Sequence, residues 1–363
     1  MILTENQELF LQFLGCSLTG RAFEKKLTDK QWAMLFSEAK RQAVVGVLWT
    51  AIEALPKDSL PPRELLLVWY SFVERIKNIN RRLNKASVKA ARTVEKVGFP
   101  AVLLKGQGVG TYYPDSSLRM PGDVDLWLKG KRGEIVEYSR TFQSAGEVRY
   151  NHVHLPLFED VEVEAHFIPS WMNSPRQNRR LQAFFRKEFE AQHCNRIDLG
   201  GEGEISVPEP RFNAVFILLH IFRHLLGEGI GLRQIVDYYY VLQRLECNDL
   251  EMVGKELTSL HLNDFAAGLM YIMERYLGLP HDKLLFVPDK ERGLSLLNEI
   301  MRGGNFGQHP DADCSGKISL CGRMVKSLKH NADFFKLYPE EVAFDPIFKV
   351  WQYLWQTTNG YRS

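Results

Sequence analysis

Residues 101 to 128, AVLLKGQGVGTYYPDSSLRMPGDVDLWL, carry the pattern that most restricts what this chain can become. Asp123 and Asp125 stand one residue apart in an apolar run that includes Val124, Leu126 and Leu128. Side chains on a strand alternate between its faces, so the spacing predicts a strand with both carboxylates on one face and three aliphatic residues in a core. Two like charges on one face repel, and a divalent cation held by oxygen ligands is the usual means of holding them there. Just ahead, Lys105 precedes Gly106, Gly108 and Gly110, a turn whose backbone N–H groups could approach phosphate oxygens, followed by the N-terminus of a short helix. The turn is not a Walker loop, because its lysine precedes the glycines. It also lacks the dinucleotide fingerprint, because Thr111 stands where the third glycine would fall.

The segment VEVEAHF supplies a third carboxylate. Its alternation puts Glu162, Glu164 and His166 on one face and Val161, Val163, Ala165 and Phe167 on the other. An edge strand with its polar face in water would show the same pattern. If the strand instead lies beside the Asp-x-Asp strand, Glu164 or Glu162 completes a cluster able to bind two Mg²⁺ ions, one on a triphosphate and one activating a hydroxyl.

At 363 residues the chain exceeds what one hydrophobic core usually serves, and its texture divides into three sections. Residues 1–98 read as an N-terminal helical region. Its last helix, after Pro62, ends at Gly98 and carries a basic face, ERIKNINRRLNKASVKAARTVEKVG, which reads as a phosphate surface or simply a solvated face. Residues 99–207 read as an α/β core, with strands at AVLL and VDLWL, a helix over Gly133–Ala145, and strand-like segments around 147–150, 152–157 and 161–167. Residues 208–363 return to helices, including a C-terminal pair around Met324 and Trp351, after a polar loop from Gly303 to Gly316. The fold class expected is α+β, a small mixed sheet flanked by helical regions.

A hydrophobic content of 45% with 25% charged residues is that of a globular protein. The net charge of +2 gives no global case for nucleic acid and leaves only a local basic cluster open. The five cysteines, Cys16, Cys194, Cys247, Cys314 and Cys321, are scattered without metal-ligand spacing and read as reduced thiols, which favours the cytoplasm. No leader pattern opens the chain and no apolar run reaches membrane-spanning length, so no membrane partner is expected.

The residues Lys105, Gly106, Tyr113, Pro114, Arg119, Gly122, Asp123, Asp125 and Trp127, with the VEVEAHF strand, resemble the nucleotidyltransferase superfamily of DNA polymerase β. More narrowly, they resemble its uncharacterised bacterial family with an LKG…YP…R…GDxDLW signature, and the resemblance extends into HIFRHLL and LRQIVDYY. Where the superfamily usually has Gly-Ser after an apolar strand, this chain has Lys105-Gly106-Gln107-Gly108. The resemblance implies transfer of a nucleoside monophosphate from an NTP such as ATP to a hydroxyl of a small molecule or a protein. Asp123, Asp125 and Glu164 would be catalytic and would hold Mg²⁺, with Mn²⁺ as a substitute. Lys105, Gly106, Gly108 and Arg119 would bind the nucleotide. Arg119 has an alternative use in a structural ion pair.

In the helical section His220 and His224 share a helix face, as do Arg233 and Asp237. With His166 they are candidates for an acceptor pocket, against the plainer reading of histidines packed between helices. No third residue is spaced to make the histidine pair a zinc site. Two other functions fit the pattern less fully. One is a catalytically inactive nucleotidyltransferase fold acting as a binding or antitoxin-like protein. The other is a glycosyltransferase using Asp-x-Asp to hold a sugar nucleotide, which would need a parallel βαβ region ahead of the motif.

Overall fold

The computed structural model describes residues 3–142, 146–227, 229–303 and 337–361. The 303–316 loop apart from its first residue, the helix around Met324, Cys314 and Cys321 lie outside the described residues. Helices α1 (Glu5–Thr19), α2 (Asp29–Arg41) and α3 (Val45–Glu53) come first. Thr4 and Thr28 each open a helix with a reciprocal capping box, the side chain of the residue three on returning the bond. The long helix α4 (Arg63–Lys96) follows Pro62 and contains no proline or glycine. Its buried stripe steps by threes and fours through Trp69, Val73, Ile76, Asn80, Leu83, Ser87, Ala90 and Val94. Gly98, at φ 94°, then turns the chain out of the helix in a conformation that suits glycine. The basic face of α4 is partly used by the fold itself: Arg82 pairs with Asp160, and Lys89 lies over the Phe158 ring at 5.4 Å from its centre.

Four short strands form one mixed sheet in the order β1-β2-β4-β3, comprising β1 (Ala101–Leu104), β2 (Val124–Leu128), β3 (His152–His154) and β4 (Val163–His166). Helix α5 (Gly106–Gly110) lies between β1 and β2, and α6 (Arg132–Arg140) follows β2. β2 runs antiparallel to β1 and parallel to β4, and β3 is antiparallel to β4. The helix read over Gly133–Ala145 thus ends at Arg140, and residues 143–145 lie outside the described residues. The strand-like segment at 147–150 reduces to one bridge between Val148 and Val153. β3 stops at His154 as Pro156, which has no N–H to donate, approaches.

Helix α7 (Pro175–Cys194), a hairpin of β5 (Arg196–Asp198) and β6 (Glu204–Ser206), and helices α8 (Pro210–Gly227), α9 (Leu232–Gln243), α10 (Cys247–Ser259), α11 (Asn263–Arg275), α12 (Lys290–Gly303) and α13 (Pro339–Thr358) complete the described chain. The architecture is α+β, with flanking helices around the small mixed sheet. Two cores sandwich that sheet. Ala101, Leu103, Val124, Leu126 and Leu128 face one, shared with the second half of α4. Val102, Leu104 and Trp127 face the other, a larger core drawing on helices from both ends of the chain. There Trp127 stacks on Phe212 of α8 at 5.6 Å between ring centres and meets Phe189 of α7 edge-on at 4.7 Å. Among the described residues no helix is long and apolar enough to cross a membrane, and Cys16, Cys194 and Cys247 are free thiols.

Candidate active site

The sheet face that buries Trp127 is also the face on which polar side chains gather. Asp125 is the register partner of Glu164, and Trp127 that of His166, across the parallel β2–β4 pair. On the far side of β4, His152 pairs with His166 and His154 with Glu164. Asp123 lies one residue before β2 begins and is exposed as a residue, while its carboxyl turns in among the other acids of the site. Ligand oxygens of Asp123, Asp125 and Glu164 all lie within 4.8 Å of one another. Glu162 sits ahead of β4 and is exposed, its backbone carbonyl accepting the Val124 N–H at 3.0 Å.

Lys105 reaches this face from the β1–α5 junction. Its backbone, at φ 48° and ψ −141°, is in a region that L-residues rarely adopt and that costs about 1–3 kcal/mol. The ammonium Nζ sits 3.0 Å from Asp125 Oδ2, while His166 Nε2 lies 2.7 Å from Asp125 Oδ1 and 3.1 Å from Glu164 Oε2. Both oxygens of this fully buried carboxylate are therefore met by protein cations. Burial alone would raise the Asp125 carboxyl, but Lys105 and His166 outweigh it and hold it well below the usual range. Burial likewise works against charge on His166, and hydrogen bonds to Asp125 and Glu164 overcome it, lifting the imidazole to about 9. Lys105 is raised on the same balance, burial opposed by the nearby carboxylates. Asp123 is the exception: the Asp125 charge, then burial, pushes its carboxyl up.

Helices α8 and α9 form the opposite wall of a cavity of about 440 Å³, within the size range of small-molecule sites. His220 and His224 from α8 line it, their rings 4.3 Å apart. Burial, then the Lys105 charge, holds His220 well below its ordinary value and His224 down to about 4. Arg149, Arg223 and Arg233 add positive charge to the lining. The Arg223 guanidinium lies 3.4 Å from the Trp171 ring centre and donates to the Trp171 carbonyl at 3.1 Å. The model of the uncharacterised nucleotidyltransferase family matches residues 28–278, a span that holds the sheet, the carboxylate cluster and both histidine-bearing walls. The chain belongs to this family. A comparison with curated proteins finds no match.

Seen as a nucleotidyltransferase family member, the chain brings together some of the residues singled out from sequence and separates others. Lys105, Gly106, Arg119, Asp123, Asp125, Glu164, His166, His220, His224, Arg233 and Asp237 all line the one cavity. Gly108 does not: it is buried in α5, where a Cβ would sit 3.3 Å from Val207 Cγ1 and 3.4 Å from the Leu103 carbonyl. Its glycine is explained by that close approach. Arg119 is committed to Asp237 through two bonds of 2.8 Å, with a third from Nη1 to the Met120 carbonyl at 3.2 Å. The ion pair weighed for Arg119 thus exists. Its partner is the acidic residue already singled out on α9. Asn80 of α4 fixes the same loop by donating to the Ser117 and Arg119 carbonyls, each at 2.8 Å.

Sequence reasoning missed His152, Arg149, Trp171 and Arg223. For His152 a signal was present, because the alternation from residue 152 onward puts it on one strand face with His154. Its Nε2 lies 3.2 Å from Glu164 Oε1, and burial with the His166 charge lowers it to about 4.

These histidines predict an acid-side loss of stability. His152 and His224, with folded values near 4 against an ordinary 6.5, stay neutral in the fold while the unfolded chain takes up protons below about 6.5. Stability from their neutral burial is therefore present above 6.5 and lost as pH falls toward 4, by up to about 2 kcal/mol each at pH ~5. His166 works in the other direction: raised to about 9, it contributes fully below 6.5 and fades as pH rises through 9. Thermal melts across this range should peak between the two limits. A melting temperature as high at pH ~5 as at neutrality would contradict the assignment.

Proposed function

We propose that this chain is a divalent-metal-dependent nucleotidyltransferase, moving a nucleoside monophosphate from an NTP to a hydroxyl of a small molecule or a protein. The observation that supports this reading best is the gathering of ligand oxygens from Asp123, Asp125 and Glu164 in a cavity also lined by arginines. The donor set suits a hard cation, since it offers three carboxylates and no thiolate. The raised Asp123 carboxyl adds to the case, because it marks negative charge that Lys105 and His166 leave uncompensated. Mg²⁺, as one ion or two, fits this chemistry, and Mn²⁺ takes the same ligands. When bound, the metal supplies charge neutralisation at the phosphates and acidifies a coordinated hydroxyl.

The remaining work falls to the chain's own side chains. The acceptor oxygen attacks the α-phosphorus, the bond to pyrophosphate breaks, and Glu164 accepts the hydroxyl proton. Lys105 and Arg233 balance charge that builds on the departing pyrophosphate. Arg119, held by Asp237, keeps the β1–β2 connection against the helical wall. The helical wall with His220 and His224 receives the acceptor.

A second reading has one observation behind it. Both Asp125 oxygens are already engaged by Lys105 and His166, which suits a fold that binds without turnover. The glycosyltransferase reading has none, because β1 and β2 are antiparallel and no parallel βαβ unit precedes the motif among the described residues.

Calorimetric titration with the Mg²⁺ complexes of ATP, GTP, CTP and UTP tests the proposal. Binding of at least one by the wild type, absent from the Asp123→Ala/Asp125→Ala variant, is the expected result. Silence with all four, or equal binding by the variant, would sink it. Binding with no pyrophosphate release in the presence of a cell lysate would favour the inactive reading.

A further inference from the structure

The carboxylate cluster does not use all of the ligating atoms on this sheet face. The Nε2 atoms of His152 and His166 approach opposite oxygens of Glu164, at 3.2 and 3.1 Å, and all three ligand atoms lie within 4.8 Å of one another. We infer that His152, Glu164 and His166 form a second cation site, selective for a borderline transition ion such as Zn²⁺ or Co²⁺ over Mg²⁺. This site rests on its own geometry, although it shares Glu164 with the nucleotide site proposed above.

Three features carry the inference. The spacing can close on one ion: one ligand atom from each residue lies within 4.8 Å of the others, so small side-chain rotations bring all three to the ~3.3 Å separation of ligands held 2.0–2.1 Å from a tetrahedral ion. The ligand types are two imidazoles and one carboxylate, a set that suits Zn²⁺, Co²⁺ or Fe²⁺, whereas Mg²⁺ keeps to oxygen. The scaffold is also rigid, since His152 and His166 are direct register partners on antiparallel strands and cannot drift apart without breaking the sheet.

His166 has a second-shell partner. Its Nδ1 lies 3.3 Å from the Asn151 carboxamide, whose oxygen would accept from Nδ1–H once the amide is turned, and a bound ion would take the place of the proton that Nε2 now directs at Asp125 and Glu164. In His152 the ion would likewise take the place of the Nε2 proton that faces Glu164 Oε1. An ion here has a consequence next door. Once Nε2 of His166 binds metal it no longer donates to Asp125 Oδ1, and that oxygen becomes free to join Asp123 and Glu164. The histidine site would thus prepare the oxygen site, resolving the double engagement of Asp125.

Titration of the metal-stripped full chain with Co²⁺ alone, followed by visible absorption and metal analysis, tests the inference. One equivalent should bind with d–d bands stronger than those of the hydrated ion, and excess Mg²⁺ should not displace it. His152→Ala should abolish the bands and weaken Co²⁺ binding at least about tenfold, because even outer-shell losses cost ~10–100-fold. His152→Gln, checked for folding by circular dichroism, repeats the test if the alanine variant is unstable. Asp123→Asn, which leaves the three ligands intact, should keep the bands while losing Mg²⁺–nucleotide binding. Bands unchanged in both His152 variants, no bands in the wild type, or displacement by Mg²⁺ would each overturn the assignment. His152-dependent Co²⁺ bands in a chain that binds no nucleotide would uphold this site and reject only the transferase reading.

Discussion

Replacing Asp237 with alanine is expected to destabilise the fold by about 3–5 kcal/mol, the usual cost of removing one partner from a buried ion pair. Asp237 accepts two bonds from Arg119 and one, at 2.7 Å, from the Tyr113 hydroxyl. All three groups are buried. Alanine would leave the Arg119 guanidinium without its counter-charge, and the electrostatics around it are already unfavourable. Burial, then the Arg119 charge, lowers the neighbouring Arg233, and Asp237 is the first group to oppose that. The lost contact is also the link between the β1–β2 connection and α9. Urea denaturation measures the effect, the midpoint falling without a change in slope. Asp237→Asn should cost less, since its carboxamide oxygen still accepts from Tyr113. Arg119→Met combined with Asp237→Leu should recover much of the loss, because a buried pair often exchanges for packed apolar groups at little cost. A penalty below about 1 kcal/mol for Asp237→Ala would mean that water reaches the pair and that it does not brace the wall.

How far the site could be read from sequence depends on the distance over which each feature is decided. The alternation of VDLWL and VEVEAHF is local, and it suffices to place Val124, Leu126, Val163 and Ala165 toward a core and to bring Glu164 or Glu162 to the aspartates if the strands pair; register then selects Glu164. The long helix α4 was legible for the same reason, through its buried stripe, its proline before and its glycine after. Strand ends were less so: Asp123 falls outside β2. The commitment of Arg119 to Asp237 bridges 118 positions, and nothing local distinguishes such an arginine from one that meets phosphate. Likewise the approach of His152 to Glu164 needs the β3–β4 pairing, which alternation alone does not specify. The Gly-rich turn misled in part because one composition serves two needs. Gly106 lines the cavity, while Gly108 lets α5 pack on Leu103 and Val207. The strained backbone of Lys105, which turns its ammonium toward Asp125, leaves no mark in residue type at all, since lysine is not a residue that a sequence reader would put at a positive φ.

The two aspartates should separate scaffold from chemistry. In the transferase reading, Asp123→Asn and Asp125→Asn each remove a metal ligand, so both should lower single-turnover nucleotidyl transfer by at least about 10³-fold, equivalent to ~4 kcal/mol of transition-state stabilisation. Their effects on folding should differ in sign. Asp125 is buried between Lys105 and His166, so its neutralisation strands an ammonium and an imidazolium in the interior and should cost about 3–5 kcal/mol. Asp123 is exposed and is repelled by Asp125, so asparagine there relieves a like-charge contact and should leave stability equal or higher by ~0–1 kcal/mol. The informative variant is therefore Asp123→Asn, whose lost activity could not be blamed on unfolding. Retained transfer in Asp123→Asn would remove it from the metal site. A drop confined to Asp125→Asn would identify the carboxylate face as a buried ion-pair network that holds the sheet together, with Lys105 and His166 as its permanent counter-ions.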